Sequence, residues 1–361
     1  MAVQEVILKT DPCQPVPYSE KAVQKVFAET GYVIADTKKD GVQLNLVVNN
    51  TAINGADRVA LANFLSRAGK FLPAIQMAYQ SVEDVNFTPV LRDDCCIYPD
   101  GFMIQAEIVT PGQPAEVTSG NLRRTKVTNK DPKPLLKLED IEIHVFGVVP
   151  LDTIEYGEDH DVTHAVMKYH VEAMTALLQK HVPQIKWVVN ESIDVFTYEE
   201  LQRVYGVRRE ADEEGLVVCD PNAIWKRGKK AGKWKMKPED TIDGTVQGLI
   251  WGTPGLGNEG KVIGFEVLLE DGHVVNACGL TQAQKEEFTE AVLLASRNAY
   301  GYENFPTMTN WGLSEDLQAD VVNCFQGWAV EVSFMERFKD GSLRHPSFSR
   351  WRGISDPLTK E

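Results

Sequence analysis

Hydrophobic and polar positions change rhythm near Pro238, and the change splits the chain into two expected domains, 1–239 and 240–361. In the first, helical and strand periods take turns. Residues 19–30 have helical spacing, with Ser19 placed to cap the start and Gly31 to stop the end. Residues 31–35 read as a strand, Asp40-Gly41 as a turn, and 42–48 as the returning strand, because apolar and polar side chains alternate there. A second helix is expected over 56–68, a half-buried strand over 141–150 and a helix over 162–181. Thr197 and Glu200 form a capping box that opens a helix running to about Arg209, and 215–219 is a short buried strand. Prolines and the cations Arg123, Arg124, Lys126, Lys130, Lys133 and Lys137 mark 110–140 as a long, basic, partly mobile loop. After Pro238 the pattern is short strands, at 244–251, 261–269, 273–278, 328–334 and 348–352, with a hairpin turn at 270–272 and a helix capped by Thr281. The fold class is therefore α+β, its second domain a small β-barrel with one helix.

Composition narrows the picture in three ways. At 361 residues the chain can bury a large core, and its 43% hydrophobic and 25% charged residues are ordinary for a globular protein. The opening residues lack the basic flank and apolar core of a signal peptide and no run is long enough to cross a bilayer, so a cytosolic protein without a membrane partner is expected. The six cysteines make no C-x-x-C pair and read as reduced thiols. A net charge of -15 argues against coating nucleic acid by bulk charge, but residues 226–237 hold seven cations and no acid.

Candidate chemistry centres on Thr37-Lys38-Lys39-Asp40-Gly41, where a lysine ends an apolar strand beside a tight turn. A free lysine, with a pKa of about 10.4, acts as a nucleophile only when burial or neighbouring cations destabilise its ammonium form. Lys39, Lys235 and Lys237 are candidate cations. Further along come Glu107 after the apolar run 102–104, Phe146 inside a strand, Glu214-Gly215 opening another, and Lys235-x-Lys237 closing the first domain. Lys235 and Lys237 alternate with Trp234 and Met236, so they share one strand face, either solvated or turned inward. Two other patterns are set aside. Gly255-Leu-Gly-Asn-Glu-Gly260 spells G-x-G-x-x-G, but a strand follows it where a phosphate-binding helix is needed. His160 and His164, near Glu158 and His170, read as a surface helix start.

This order of motifs resembles the covalent nucleotidyltransferases, and runs such as 226–230, 234–238, 258–270 and 341–348 resemble the short ATP-dependent DNA ligases of podovirus-type bacteriophages over nearly the whole chain. The resemblance implies an adenylation domain followed by an OB-fold domain, a lysyl-AMP formed on Lys38, and sealing of 5′-phosphate/3′-hydroxyl nicks in duplex DNA. It implies ATP contacts at Asp36, Thr37, Lys39, Gln43, Arg67, Glu107, Phe146, Lys229, Lys235 and Lys237, with magnesium or another divalent metal at Glu107 and Glu214. It also implies DNA contacts at Arg123, Arg124, Lys126, Lys226, Arg227, Lys230, Arg344, Arg350 and Arg352, a monomer, and work in the cytoplasm of an infected bacterial host. On the residues alone, Glu107 and Glu214 are also readable as solvated strand-end acids, Phe146 as core, and 226–230 as a solvated charged face.

Three positions depart from the family: Gln43 stands for an arginine, Gln105-Ala106 for Asp-Gly, and Cys219 for a lysine. They motivate an alternative, a weakened or inactive ligase-like nucleic-acid-binding protein; an RNA ligase of the same superfamily is a further one. Restoring Arg at 43 and Lys at 219 is expected to raise the single-turnover rate.

Overall fold

The computed structural model describes residues 5–53, 57–129, 132–301, 313, 315–338, 340–353 and 356–360. Two compact units meet in sequence at Lys237 and Pro238.

The first unit is built on two five-stranded sheets. One runs in the order Gln14–Pro17, Lys229–Met236, Gly215–Cys219, Val33–Lys38, Ser192–Val195. Its strands alternate with period two, and the alternation separates two kinds of surface. Val33, Ala35, Leu216, Val218, Trp234 and Met236 pack with Val23 and Val26 of helix Glu20–Thr30 and Leu201 of helix Tyr198–Glu210. The register sets Lys38 opposite Gly215, Asp36 and Lys235 on either side of Val217, and Ile34 and Lys233 on either side of Cys219. Those residues therefore share the other face.

The second sheet runs Asp57–Leu65, Val42–Ile53, Gly101–Val109, Glu142–Pro150, Lys186–Val189, the last pair parallel. Its apolar positions, among them Leu44, Leu46, Phe102, Ile104 and Val148, form the largest core cluster together with Met167, Val171 and Met174 of helix His164–His181. Gly41 leads into this sheet where a Cβ would lie 2.2 Å from the Ile108 carbonyl oxygen, so no side chain fits at the turn.

Several expectations are corrected here. The helix expected over 56–68 is the strand Asp57–Leu65, with Ala56 outside the described residues. Alanine favours helix, but Ala60, Ala62 and Phe64 are buried at every second position, and nine paired positions with Val42–Ile53 override the propensity. The 110–140 loop contains helix Ala115–Arg123 and a turn of 3-10 helix at Leu138–Asp140; Lys130 lies outside the described residues. Leu122 of that helix is buried, which is the apolar anchor that the proline-rich reading overlooked. His164, read as a surface residue, is only 5% exposed at the start of its helix.

Local signals elsewhere hold. Ser19 Oγ accepts from the Ala22 N–H at 3.4 Å, Gly31 ends the helix with φ +82°, and Thr281 with Gln284 closes a reciprocal capping box.

The second unit, from Pro238, contains a five-stranded antiparallel sheet in the order Val274–Ala277, Val262–Leu269, Asp240–Trp251, Ala329–Phe334, Ser347–Trp351. Its two edge strands approach through one isolated bridge, Cys278 to Ser347. Among the described residues the barrel is therefore only partly closed, as OB-folds commonly are. Phe265, Phe288 of helix Gln282–Tyr300, Phe325, Phe348 and Trp351 fill it, with Phe325 stacked on Trp351 at 5.4 Å.

Candidate active site

Antiparallel pairing brings the central groups together. Because Lys38 sits opposite Gly215, the Glu214 N–H donates to the Lys38 carbonyl at 3.1 Å, and Lys38 Nζ forms an ion pair with the Glu214 carboxylate. Both side chains are mostly sheltered, at 22% and 12% exposure. Lys39 and Glu213 make a second ion pair beside it. Gly215 is tight for a steric reason: with φ +145°, a Cβ there would stand 2.2 Å from the Met236 carbonyl oxygen.

Glu107 faces this pair from the second sheet. Burial pushes its carboxyl up to about 8, and the neighbouring Glu214 and Asp40 carboxylates push the same way, against the pull of Lys38 and the Gly41 N–H. Lys235 is the cationic counterpart. Burial, then Lys237, Lys229 and Lys38, lower its pKa, so the four lysines form an electropositive field in which an anion is favoured. No cluster of three or more His, Cys, Asp or Glu placed for a metal occurs among the described residues. Two carboxylates that repel one another do suit magnesium, which keeps several waters and completes its shell with phosphate oxygens.

Farther along the same sheet face lies a cavity of about 180 Å³ between the two sheets, walled by Asp36, Val145, Phe146, His164, Cys219 and Lys233. The Cys219 thiol donates to Asp36 Oδ2 at 3.6 Å, and burial with the Asp36 charge keeps that thiol well above its ordinary pKa. Burial drives the His164 imidazole down to about 2, so it is neutral at physiological pH. His160 and His170 lean on a common partner: Tyr98 Oη bonds His160 Nε2 at 2.9 Å and His170 Nδ1 at 3.1 Å.

The other expected positions divide by what their side chains already hold. Thr37 has its N–H bound by the Glu191 carbonyl and its carbonyl bound by Asn190 Nδ2, each within 2.9 Å. Gln43 pairs across the sheet with Glu107 and contacts Asn45 at 3.5 Å. Arg67 is exposed on a turn, and Lys237 is partly buried at the strand's end. Lys126, Lys226, Lys229 and Lys230 are exposed, as is Arg123. Arg124 instead donates to the Lys133 and Pro134 carbonyls and pins its own loop. Arg227 donates to the Ile154 and Lys9 carbonyls at 3.3 Å each while its N–H meets Asp159, which makes it a tie within the fold. In the second unit Arg344 pairs with Glu336, Arg350 with Glu331, and Arg352 with Asp243 and Glu331. Lys233 was not singled out from the sequence, although the alternation that pairs Lys235 with Lys237 extends to it.

Residues 14–237 match the family described as ATP dependent DNA ligase domain, and residues 238–352 match the DNA ligase C-terminal domain. With a lysine in this setting and a partly open barrel following in sequence, the chain belongs to the ATP-dependent DNA ligases. It is 42% identical to the DNA ligase of Escherichia phage T7 and 39% identical to that of Enterobacteria phage T3, in each case over 97% of this chain and 98% of the relative. The solved ATP-dependent DNA ligase from bacteriophage T7 in complex with ATP aligns with a TM-score of 0.58 at 41% identity, over 96% of this chain and 99% of that one.

Proposed function

We propose that the chain seals 5′-phosphate/3′-hydroxyl nicks in duplex DNA with Lys38 as the group that carries AMP. Lys38 Nζ gives up its proton to solvent and attacks the α-phosphorus of ATP; the P–N bond forms as the bond to the β-phosphate oxygen breaks and pyrophosphate leaves. The AMP then passes to the 5′-phosphate at the nick, and the 3′-hydroxyl displaces it to form the phosphodiester. The observation that carries the reading is the convergence of Lys38, Glu214 and Lys235 on one sheet with Glu107 facing them from the other, beside a cavity walled by Phe146. Lys235, Lys237 and Lys229 offset charge on the phosphates, while Phe146 offers its ring to adenine. Glu107 and Glu214 would hold magnesium, which supplies charge neutralisation at the phosphates. The exposed cations Arg123, Lys126, Lys226 and Lys230 provide phosphate-backbone contacts. The working form is a monomer in the host cytoplasm.

Incubation with α-labelled ATP and magnesium, without DNA, tests the central step. Label should become covalent in the unaltered protein and vanish in Lys38→Ala; label absent from the former, or equal in both, refutes it.

A further inference from the structure

Lys233 is 8% exposed and lines the cavity directly opposite Cys219 in the strand pairing. Among the described residues nothing accepts a hydrogen bond from its ammonium. A buried lysine has three donors, and leaving them unmet is costly unless an acceptor arrives from outside the fold. Its place on the strand says which part of a nucleotide that acceptor belongs to. Lys237 stands level with Lys38 at one end of the face, and Lys233 is four residues away, roughly 13 Å at a strand's rise. The electrostatics divide the same way: Lys235 feels Lys237, Lys229 and Lys38, whereas the neighbours of Lys233 are Cys219, Cys13 and Asp36. Lys233 thus belongs to the Phe146 end of the cavity, away from the phosphate-handling lysines. Next to it the Asp36 carboxylate is held by the Cys219 thiol through Oδ2, and its other oxygen has no partner among the described residues.

We propose that Lys233 reads the edge of the adenine ring, donating to N1 while Asp36, already an expected nucleotide contact, accepts from the exocyclic amine. This rests on the nucleotide reading above. The pairing selects adenine because the guanine edge reverses it: a carbonyl would meet the carboxylate and an N–H would meet the ammonium.

The test is single-turnover labelling of Lys38 with α-labelled ATP over a range of concentrations, in the full chain and in Lys233→Met. The concentration of ATP for half-maximal rate should rise about 10- to 100-fold, the maximal rate should stay within about threefold, and the preference for ATP over GTP should shrink. Tm is followed in parallel, because Asp36 loses its neighbouring cation in this variant. In the unaltered protein 1-deaza-ATP, which lacks N1, should bind as weakly as ATP does to Lys233→Met while 7-deaza-ATP binds like ATP, and in that variant 1-deaza-ATP should match ATP. The double exchange Cys219→Lys with Lys233→Cys moves the ammonium across the strand pair and should recover most of the affinity. An unchanged ATP affinity in Lys233→Met overturns the proposal, as does an equal loss with every analogue or a fallen Tm with no recovery in the exchange. If the unaltered protein takes no label at Lys38, the nucleotide reading itself fails; if it takes label and ignores Lys233, only this inference does.

Discussion

Replacing Glu107 with glutamine should stabilise the protein by an amount that grows with pH. The carboxyl is raised from 4.5 to about 8 in the folded chain, chiefly by burial and further by Glu214 and Asp40. The folded state therefore holds a proton that the unfolded state releases, so Glu107 is harmless below pH 4.5 and its ionisation opposes folding progressively as pH rises to 8. At 1.36 kcal/mol per pH unit, the ceiling is about 3 kcal/mol at pH 7 and about 5 kcal/mol above pH 8. Glu107 keeps some contact with solvent, so roughly half of that is the working figure, or about 2 kcal/mol at pH 8. For a unit of this size that is a rise of about 4–8 °C in Tm at pH 8, and close to none at pH 5. The assay is thermal unfolding of both proteins from pH 5 to 9 in the presence of a chelator. Magnesium should flatten the curve of the unaltered protein by neutralising the paired carboxylates, and should leave Glu107→Gln less affected. A Tm difference that is the same at pH 5 and pH 9 would refute the raised pKa of Glu107 in the folded chain. Nick sealing by Glu107→Gln should fall even as stability improves, since a site tuned for a cation is strained without one.

Other substitutions separate fold from function. Cys219→Lys, expected from the sequence to speed adenylation, places a second buried ammonium opposite Lys233; it should lower stability by about 3 kcal/mol and slow labelling in a single-turnover assay. Gln43→Arg points toward Glu107 instead and should be tolerated, with an unchanged Tm as the readout. Lys226→Ala should reduce the slope of log affinity for nicked DNA against log salt by about 1. Arg227→Ala, by contrast, should leave that slope alone and lower stability by about 2 kcal/mol, because its guanidinium is tied to the carbonyls of Ile154 and Lys9.

Much of the site could be read from residue order because strand chemistry is local. Lys235 and Lys237 share a face by the period of two, and the residues around Lys38 announce their turn through Asp40-Gly41. What could not be read was anything that depends on two sheets meeting. The cavity between Phe146 and Lys233 joins strands distant in sequence, and Lys233 itself was submerged in a run of cations whose ordinary fate is solvent. Arg227, Arg344 and Arg350 stand out in the sequence as cations, but their acidic or carbonyl partners lie on other elements, so a charge that is tied within the fold looks the same in sequence as one that is not. The strand Asp57–Leu65 was disguised by its alanines, which report helix preference more loudly than pairing.

The Lys229–Met236 strand carries Lys233 and Lys235 on one side and Trp234 and Met236 on the other. Adding or deleting a single residue within it would turn the ammonium groups into the apolar interior and set a tryptophan toward the reaction centre. Length changes here are consequently all-or-none, and a library that varies this segment has to preserve its residue count before it explores its chemistry.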